Sequence, residues 1–255
     1  MIKPFFSIVI PTYNRANDLR KAIAICLGQS FRDFELIISD NASTDKTEKV
    51  VKSFRDERIK YFKNKTNIGP ENNFKKVFSY ARGEYIFSMG DDDFILFDDT
   101  LKKIKKILDK RRWGFVRINL LEKTLDGLGL RKSFIATEKD FSLKNHSLPE
   151  KIFDFFAKTA ASHLAGLIIK NKKNLSSEFI DCHDSPWIKS LYEAVKEDGA
   201  FFLSSQYMVI TWARVGEKIG VSSYYDVPRN NRLVFEDYTD FVFKQIPIRK
   251  RADFR

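Results

Sequence analysis

The chain has 255 residues, of which 43% are hydrophobic, and this is enough apolar material for one large domain or two small ones, which excludes an intrinsically disordered protein. Its net charge of +11 predicts attraction to phosphates, acidic lipids or nucleic acid without choosing among them. Two cysteines, Cys26 and Cys182, exclude a disulfide framework and a thiolate zinc site, and they favour a reducing cytoplasm. We expect neither a secretory signal nor a membrane span, because no apolar run approaches about 18 residues.

The first half of the chain alternates strand and helix patterns. Short apolar runs predict strands at 6–10, 34–38, 59–62, 85–89 and 115–119. Helical spacing of apolar residues predicts helices at 17–27, after Asp45 with Glu48 in a capping box, after Pro70, and at 100–108. This alternation predicts an α/β fold with a mostly parallel central sheet flanked by helices, in which ligands bind beyond the carboxyl ends of the strands. The loops at those ends are 12–15, 40–45, 65–73 and 90–93.

The second half is less regular. We predict a helix at 150–156, a strand at 164–169, a helix at 186–195 and a strand at 201–210, with no element assigned between 121 and 149. The segment 244–255 is a basic tail, since it carries Lys244, Arg249, Lys250, Arg251 and Arg255 against Asp253. There is no internal repeat or Gly/Ser linker, so we expect one compact unit.

Three consecutive carboxylates, Asp91, Asp92 and Asp93, follow the fourth predicted strand. Like charges this close raise one another's pKa unless a cation compensates them. Hard oxygen ligands suit Mg²⁺ or Mn²⁺, and Mg²⁺ usually takes only one or two carboxylates together with substrate phosphates. The motif therefore predicts a metal-bound nucleoside diphosphate. The alternative is a solvated acidic turn that caps the next helix.

Polar side chains also follow the other predicted strands. Asp40 ends the second strand, where a carboxylate can accept hydrogen bonds from a ribose or a base. The loop after the first strand offers a stacking ring, an amide and a cation from Tyr13, Asn14 and Arg15. Gly69 precedes a helix N-terminus, a place suited to anions. Each of these residues has an alternative role as an ordinary turn former or helix start.

Four motifs together resemble the family 2 inverting glycosyltransferases of the GT-A fold. They are SIVIPTYNR at 7–15, ISDNASTD at 38–45, NIG at 67–69 and GEYIFSMGDDD at 83–93, within a match over roughly residues 5–110. The resemblance implies a nucleotide-sugar donor linked to UDP, dTDP, CDP or GDP. It places base and ribose among Pro11, Thr12, Tyr13, Arg15 and Asp40, with Asn67 and Gly69 in the third loop and the acidic motif at the ribose and the metal-bound diphosphate.

One position departs from the family pattern. The family usually has Asp-x-Asp-Asp after the fourth strand, and Gly90 stands here where its first Asp belongs. The resemblance then implies Asp92 as the metal ligand with Asp93 beside it, and Asp91 near the ribose. A shifted register, in which Asp91 and Asp93 form the pair, stays open.

An inverting transferase needs a general base beside the acceptor hydroxyl. The family places an Asp at the start of a helix in its second half, and Asp184 in His183-Asp184-Ser185-Pro186 stands at the corresponding place. Asp181 is the second candidate. The alternative is that Asp184 only caps the helix.

The resemblance divides the chain into a donor-binding region at 1–120, an acceptor-side region of the same domain at 121–243 and the basic tail at 244–255. It implies a metal-dependent inverting glycosyltransferase that acts in surface polysaccharide or lipid-linked glycan synthesis, with Mg²⁺ or Mn²⁺ as cofactor and no nucleic acid as partner. The basic segment 102–112 and the tail are solvated, bind an anionic acceptor or hold the enzyme on the inner face of the membrane.

Two other functions stay open. A nucleotidyltransferase that makes sugar nucleotides would use a similar sheet, but it needs a Gly-rich loop after the first strand, and residues 11–15 contain no Gly. A basic nucleic-acid-binding module would explain the charge, but no zinc-finger spacing or RNA-recognition aromatic motif supports it.

Overall fold

The computed structural model describes residues 3–123, 130–132, 139–159, 165–172 and 188–210. The strands are β1 (Phe6–Thr12), β2 (Phe34–Asp40), β3 (Ile59–Lys63), β4 (Tyr85–Ser88), β5 (Phe94–Ile95), β6 (Phe115–Lys123), β7 (Leu130–Lys132), β8 (Phe141–Leu143), β9 (Leu167–Lys170) and β10 (Ala200–Ile210). The helices are α1 (Ala16–Leu27), α2 (Thr47–Ser53), α3 (Pro70–Ser79), α4 (Thr100–Lys110), α5 (Pro149–Thr159) and α6 (Ile188–Asp198). Within the described residues no helix has the length and apolarity needed to cross a membrane.

The first four strands form a parallel sheet in the order β3-β2-β1-β4. The sequence produces this arrangement because β1 and β2 are continuous apolar runs whose two faces are both covered, as parallel sheets require. Ile8 and Ile10 of β1 pack in the same core cluster as Leu19 of α1. Val9, which points to the opposite face, packs with Phe74 of α3. The predicted α/β alternation is confirmed in this half.

The second half adds antiparallel pairs to the parallel sheet of the first half. The strand β9 lies between β4 and β6 and is antiparallel to both. Beyond β6, β10 is parallel to β6 but antiparallel to β5 and β8. Apolar runs identify strands but not their direction, and the sequence therefore did not predict these antiparallel pairs. The boundary expected after residue 120 falls inside β6.

Most predicted elements lie within a few residues of the observed ones, and two local differences have clear causes. The capping box of Asp45 and Glu48 does not form, because Glu48 instead pairs with Lys52 and Lys63 at 2.6 and 3.0 Å. Asp45 Oδ1 accepts the Thr47 backbone N–H at 2.9 Å, and α2 begins at Thr47. The segment without predicted elements contains the end of β6 and the three-residue strands β7 and β8, which are too short to leave a periodic signal.

Gly83, the first residue of the fourth motif, has a structural role at the edge of the sheet remote from the acidic motif. A Cβ at this position would lie 2.5 Å from the backbone nitrogen of Ser7, so only glycine allows β4 to begin against β1. The Gly83 N–H donates to Ser7 Oγ at 2.7 Å, and that hydroxyl donates to the buried Glu35 carboxylate at 2.6 Å. The start of the motif therefore serves the packing of β4 against β1, and its end contributes to the candidate site.

Candidate active site

The loops that follow β1, β2, β3 and β4 meet at the carboxyl edge of the sheet. The Asn41 N–H donates to the Thr12 carbonyl at 2.9 Å, and the Asn64 N–H donates to the Asp40 carbonyl at 2.8 Å, so backbone hydrogen bonds extend the strand register into the loops. This is the edge where ligands bind in open α/β sheets. The structure brings together the predicted residues Thr12, Arg15 and Asp91 with Asp92.

The acidic turn after β4 is held by one hydroxyl and one cation. Thr12 Oγ1 donates to Asp91 Oδ2 at 2.6 Å. Arg15 Nη1 forms an ion pair with Asp92 and lies 3.7 Å from Asp91 Oδ1. Burial and the neighbouring Asp92 charge raise the pKa of Asp91 to about 7, although Arg15 and Thr12 act in the opposite direction. Burial alone would lower the pKa of Arg15, but Asp92 and Asp91 outweigh it and raise that pKa. Two carboxylates therefore share one cation.

The three consecutive carboxylates have different surroundings. The Asp92 side chain is 22% exposed, whereas Asp91 and Asp93 are buried. Asp93 Oδ2 accepts the Gly90 N–H at 2.9 Å, so its carboxylate folds back onto its own turn. A Cβ at Gly90 would lie 2.8 Å from that oxygen, and the glycine that departs from the family pattern thus leaves room for Asp93 to turn inward. Asp91 and Asp92 are brought together around Arg15, and Asp93 is not.

Asp40 lies beneath the surface of the same edge. Its relative exposure is 0%, its Oδ1 accepts the Ser43 N–H at 2.7 Å, and its Oδ2 accepts the Tyr61 hydroxyl at 2.5 Å. Burial and the hydrogen bond to Asp40 raise the pKa of Tyr61. In this conformation Asp40 holds the loop that follows it and presents no surface to a ligand. Tyr61 was not predicted as part of the site, and the only signal for it is an aromatic residue in the middle of β3.

Asn14 joins the loops after β1 and β2. Its backbone has φ 53°, a left-handed conformation that Asn tolerates better than most residues. Asn14 Oδ1 accepts the Thr44 N–H at 2.8 Å, and the Asn14 N–H donates to Ser43 Oγ at 2.9 Å. Tyr13 and Pro11, which flank Thr12, are partly exposed at the same edge.

The loop with Asn67 and Gly69 is fixed by Asn41, a residue that the sequence analysis did not single out. Asn41 Nδ2 donates to Asn67 Oδ1 at 2.8 Å and to the Gly69 carbonyl at 3.2 Å. Asn41 Oδ1 accepts the Ile68 N–H at 2.9 Å and Asn64 Nδ2 at 3.1 Å. This buried amide therefore uses all four of its hydrogen-bonding positions. Gly69 has φ 81°, which explains the glycine at this turn.

The predicted general bases Asp184 and Asp181 lie outside the described residues. In the part of the chain that the structure describes, no group of three or more His, Cys, Asp or Glu side chains forms a metal centre. Two carboxylates, those of Asp92 and Asp91, face this edge and could bind a metal ion. Such a set fits a hard cation that shares its remaining ligands with a diphosphate.

Comparison with known proteins identifies the family. The profile of "Glycosyl transferase family 2" matches residues 7–163. A Campylobacter jejuni protein, GalNAc(5)-diNAcBac-PP-undecaprenol beta-1,3-glucosyltransferase, is 30% identical over 202 residues, which cover 74% of this chain and 60% of that protein. The chain thus spans about three fifths of the length of this relative.

Two solved structures share the fold. The S. aureus TarS structure in complex with UDP-GlcNAc superposes with a TM-score of 0.68 at 20% identity, covering 94% of this chain and 66% of that one. The mannosyltransferase PcManGT from Pyrobaculum calidifontis, in complex with GDP-Man and Mn²⁺, gives a TM-score of 0.59 at 18% identity, covering 85% of this chain and 59% of that one. The predicted GT-A fold is confirmed, and the chain belongs to glycosyl transferase family 2.

Proposed function

We propose that this chain transfers a sugar from a nucleoside diphosphate sugar to an acceptor hydroxyl, with inversion, in the synthesis of a surface polysaccharide or a lipid-linked glycan. The observation that carries the proposal is the meeting of Thr12, Arg15, Asp91 and Asp92 at the carboxyl edge of a family 2 fold. The name of the Campylobacter jejuni relative, which acts on an undecaprenol-linked glycan, supports the acceptor class.

The residues at this edge fit a divalent cation, Mg²⁺ or Mn²⁺. Asp92 is the carboxylate with exposed surface, and its neighbour Asp91 has one oxygen held by Thr12. A bound cation would neutralise charge on the departing diphosphate. The Mn²⁺ in the PcManGT complex supports this part of the proposal. Because Asp93 is buried and accepts the Gly90 N–H, we assign the metal to Asp92 with Asp91, in place of the pair Asp92 and Asp93 expected from the resemblance.

The chain's own groups have distinct roles in this proposal. Arg15 stabilises the negative charge of the diphosphate as well as that of Asp92, and Thr12 fixes the orientation of Asp91. Asp40 and Asn41 shape the loops around the base without exposing their own polar atoms. Asp184 accepts the proton of the acceptor hydroxyl, with Asp181 as the second candidate.

The face of α4 that turns away from the core supports contact with an anionic membrane. Leu101, Ile104 and Leu108 are buried, while Lys102, Lys106 and Lys110 are exposed. Phe97, directly before this helix, is 40% exposed beside Lys103. Exposed rings and lysines on one surface suit a bilayer with acidic headgroups, where each basic residue contributes about 1 kcal/mol. The proposed enzyme would thereby be held near a lipid-linked acceptor.

The experiment that tests the proposed function is a thermal-shift screen of UDP, GDP, CDP and dTDP with and without Mn²⁺. We expect one diphosphate to raise the melting temperature only when Mn²⁺ is present, which would also identify the base. The Asp92→Asn variant should lose this shift. The Asp98→Asn variant is the control, since it makes the same change at an exposed acid after β5, and it should keep the shift. The proposal is wrong if no diphosphate stabilises the parent protein with Mn²⁺.

A further inference from the structure

Arg117 is a fully buried guanidinium in the middle of the sheet, at the boundary between the two halves of the molecule. In the strand register, Leu167 of β9 lies opposite both Ser88 of β4 and Arg117 of β6. Side chains in one row of a sheet point to the same face. Arg117 therefore lies on the strand next to β9 and in the same row of side chains as Ser88. Ser88 is the last residue of β4, and the turn with the acidic motif follows β4.

The guanidinium donates hydrogen bonds to two backbone carbonyls and interacts electrostatically with one carboxylate, each on a different segment. Arg117 Nε donates to the carbonyl of Thr159 at 3.0 Å, and Arg117 Nη1 donates to the carbonyl of Ala165. Thr159 is the last residue of α5, where the helix dipole favours a cation. The third partner is the Asp93 carboxylate, which acts on Arg117 electrostatically: burial lowers the pKa of Arg117 to about 9, and Asp93 opposes that fall.

The turn at 90–93 shows why Asp93 is available to Arg117. The absence of a side chain at Gly90 leaves the space that Asp93 occupies, and the Gly90 N–H holds one oxygen of that carboxylate at 2.9 Å. Asp93 is followed at once by β5, which pairs with β10. The last carboxylate of the motif thus points into the protein, while Asp91 and Asp92 point toward Thr12 and Arg15.

We propose that Arg117 is a positioning residue for the acidic turn. It fixes Asp93, and through Asp93 the turn that carries Asp91 and Asp92, to the two residues that flank the segment 160–164, Thr159 and Ala165. The orientation of the donor-side carboxylates then depends on a group that also holds the chain leading into β9. For its effect on ligand binding, this inference rests on the proposed function.

Hydrogen exchange of the Gly90 amide in the ligand-free protein tests the positioning directly, because that N–H is held by Asp93. We expect Arg117→Met to raise its exchange rate by about tenfold or more relative to amides in β1, and Arg117→Lys to give a smaller rise. Arg58→Met is the matched control, since it removes another largely buried arginine that pairs with Asp56 far from the turn. It should leave Gly90 exchange unchanged relative to β1. If Arg117→Met does not fold, the same comparison is made with Arg117→Lys.

A second measurement links the position of the turn to function. Among UDP, GDP, CDP and dTDP, the diphosphate that most stabilises the parent with Mn²⁺ is titrated by calorimetry into each variant. Loss of an outer group that orients metal ligands costs about 10–100-fold in affinity, so we expect Arg117→Met to weaken binding by about tenfold and Arg58→Met to leave it unchanged. Gly90 exchange that matches the Arg58→Met control in both Arg117 variants would overturn the inference. Failure of every diphosphate to bind the parent would instead contradict the proposed function alone.

Discussion

Asp40 and the turn at 91–92 are two acidic sites at one edge of the sheet, and they are built in opposite ways. Asp40 is completely buried, and neutral donors, the Ser43 N–H and the Tyr61 hydroxyl, hold both of its oxygens. Asp91 and Asp92 share the single guanidinium of Arg15, and Asp92 keeps exposed surface. In the first arrangement each carboxylate oxygen accepts a hydrogen bond from the protein, and the carboxylate stabilises a loop. The second places two adjacent carboxylates around one guanidinium, and a further cation would reduce the repulsion between them.

The largest expected effect is on enzymatic activity, and it concerns Asp92 in the turn at 91–92. Asp92→Asn should reduce sugar transfer or donor hydrolysis about 100–1000-fold, because an electrostatic group that acts on the leaving diphosphate is lost. Its unfolding free energy should not fall, since the change also relieves repulsion with Asp91. Activity is measured with the donor that the thermal-shift screen identifies, and Asp98→Asn serves as the control. An Asp92→Asn protein that transfers at the parent rate would remove Asp92 from the site.

The next largest effect is on the unfolding free energy, and it concerns Asp40. Asp40→Ala leaves the Ser43 N–H and the Tyr61 hydroxyl without their partner, and each unsatisfied buried group costs about 1–3 kcal/mol. We expect the unfolding free energy to fall by about 3 kcal/mol in urea denaturation. Tyr61→Phe should cost about 1 kcal/mol, and Tyr80→Phe, whose ring stacks on Phe62, should cost less. Equal losses for the two tyrosine variants would contradict the structural role of the Asp40 hydrogen bond.

Removal of Arg15 should lower the unfolding free energy and strengthen the response of the turn at 91–92 to Mn²⁺. Arg15→Met leaves Asp91 and Asp92 without their shared cation, so we expect the ligand-free protein to lose about 1–2 kcal/mol of unfolding free energy, less than for a fully buried pair. Mn²⁺ alone should then raise the melting temperature more than it does in the parent, because it no longer competes with the guanidinium. Arg20→Met, at an exposed position of α1, is the control. An unchanged response to Mn²⁺ would show that Arg15 does not occupy the cation position.

The smallest effect comes from the ion pair of Asp56 and Arg58, which lies outside the candidate site and provides a reference for the two acidic sites. The hydrogen bond from Arg58 lowers the pKa of Asp56 to about 2, whereas an unfolded Asp has a pKa of about 3.9. The pair therefore adds stability above about pH 4, and this is lost as the pH falls toward 2. Because Asp56 is partly exposed, the contribution is at most about 1 kcal/mol. Asp56→Asn should be less stable than the parent at pH 5 and equal to it near pH 2 in urea titrations.

The sequence predicted the elements and the place of the site well where its signals are local. Continuous apolar runs located β1, β2 and β4, and the polar residues after them identified the edge at which Thr12, Arg15 and Asp91 meet. Antiparallel insertion of β9 was not predictable, because the direction of a strand depends on the path of the chain and not on its apolar pattern.

The roles of individual polar residues depended on contacts between distant segments. Asp40 was predicted to bind a ribose or a base, and the hydrogen bond that it accepts from Tyr61, 21 positions further on, was not predicted. No role was predicted for Asn41, whose amide holds three neighbouring residues of the next loop, Asn67, Ile68 and Gly69. Asp93 was predicted beside the metal ligand Asp92, and the hydrogen bond that its carboxylate accepts from the Gly90 N–H was not predicted. Composition and spacing carry no information about such partners.

The most direct test of the central claim is anomalous diffraction from crystals of the chain grown with Mn²⁺ and the nucleoside diphosphate that stabilises it. We expect a manganese peak between the Asp92 carboxylate and the diphosphate, with Asp93 still bound to the Gly90 N–H and Asp40 still bound to Tyr61. A nucleotide bound away from the carboxyl edge of β1 and β4, or a manganese ion held by Asp93 or Asp40 without Asp92, would contradict it.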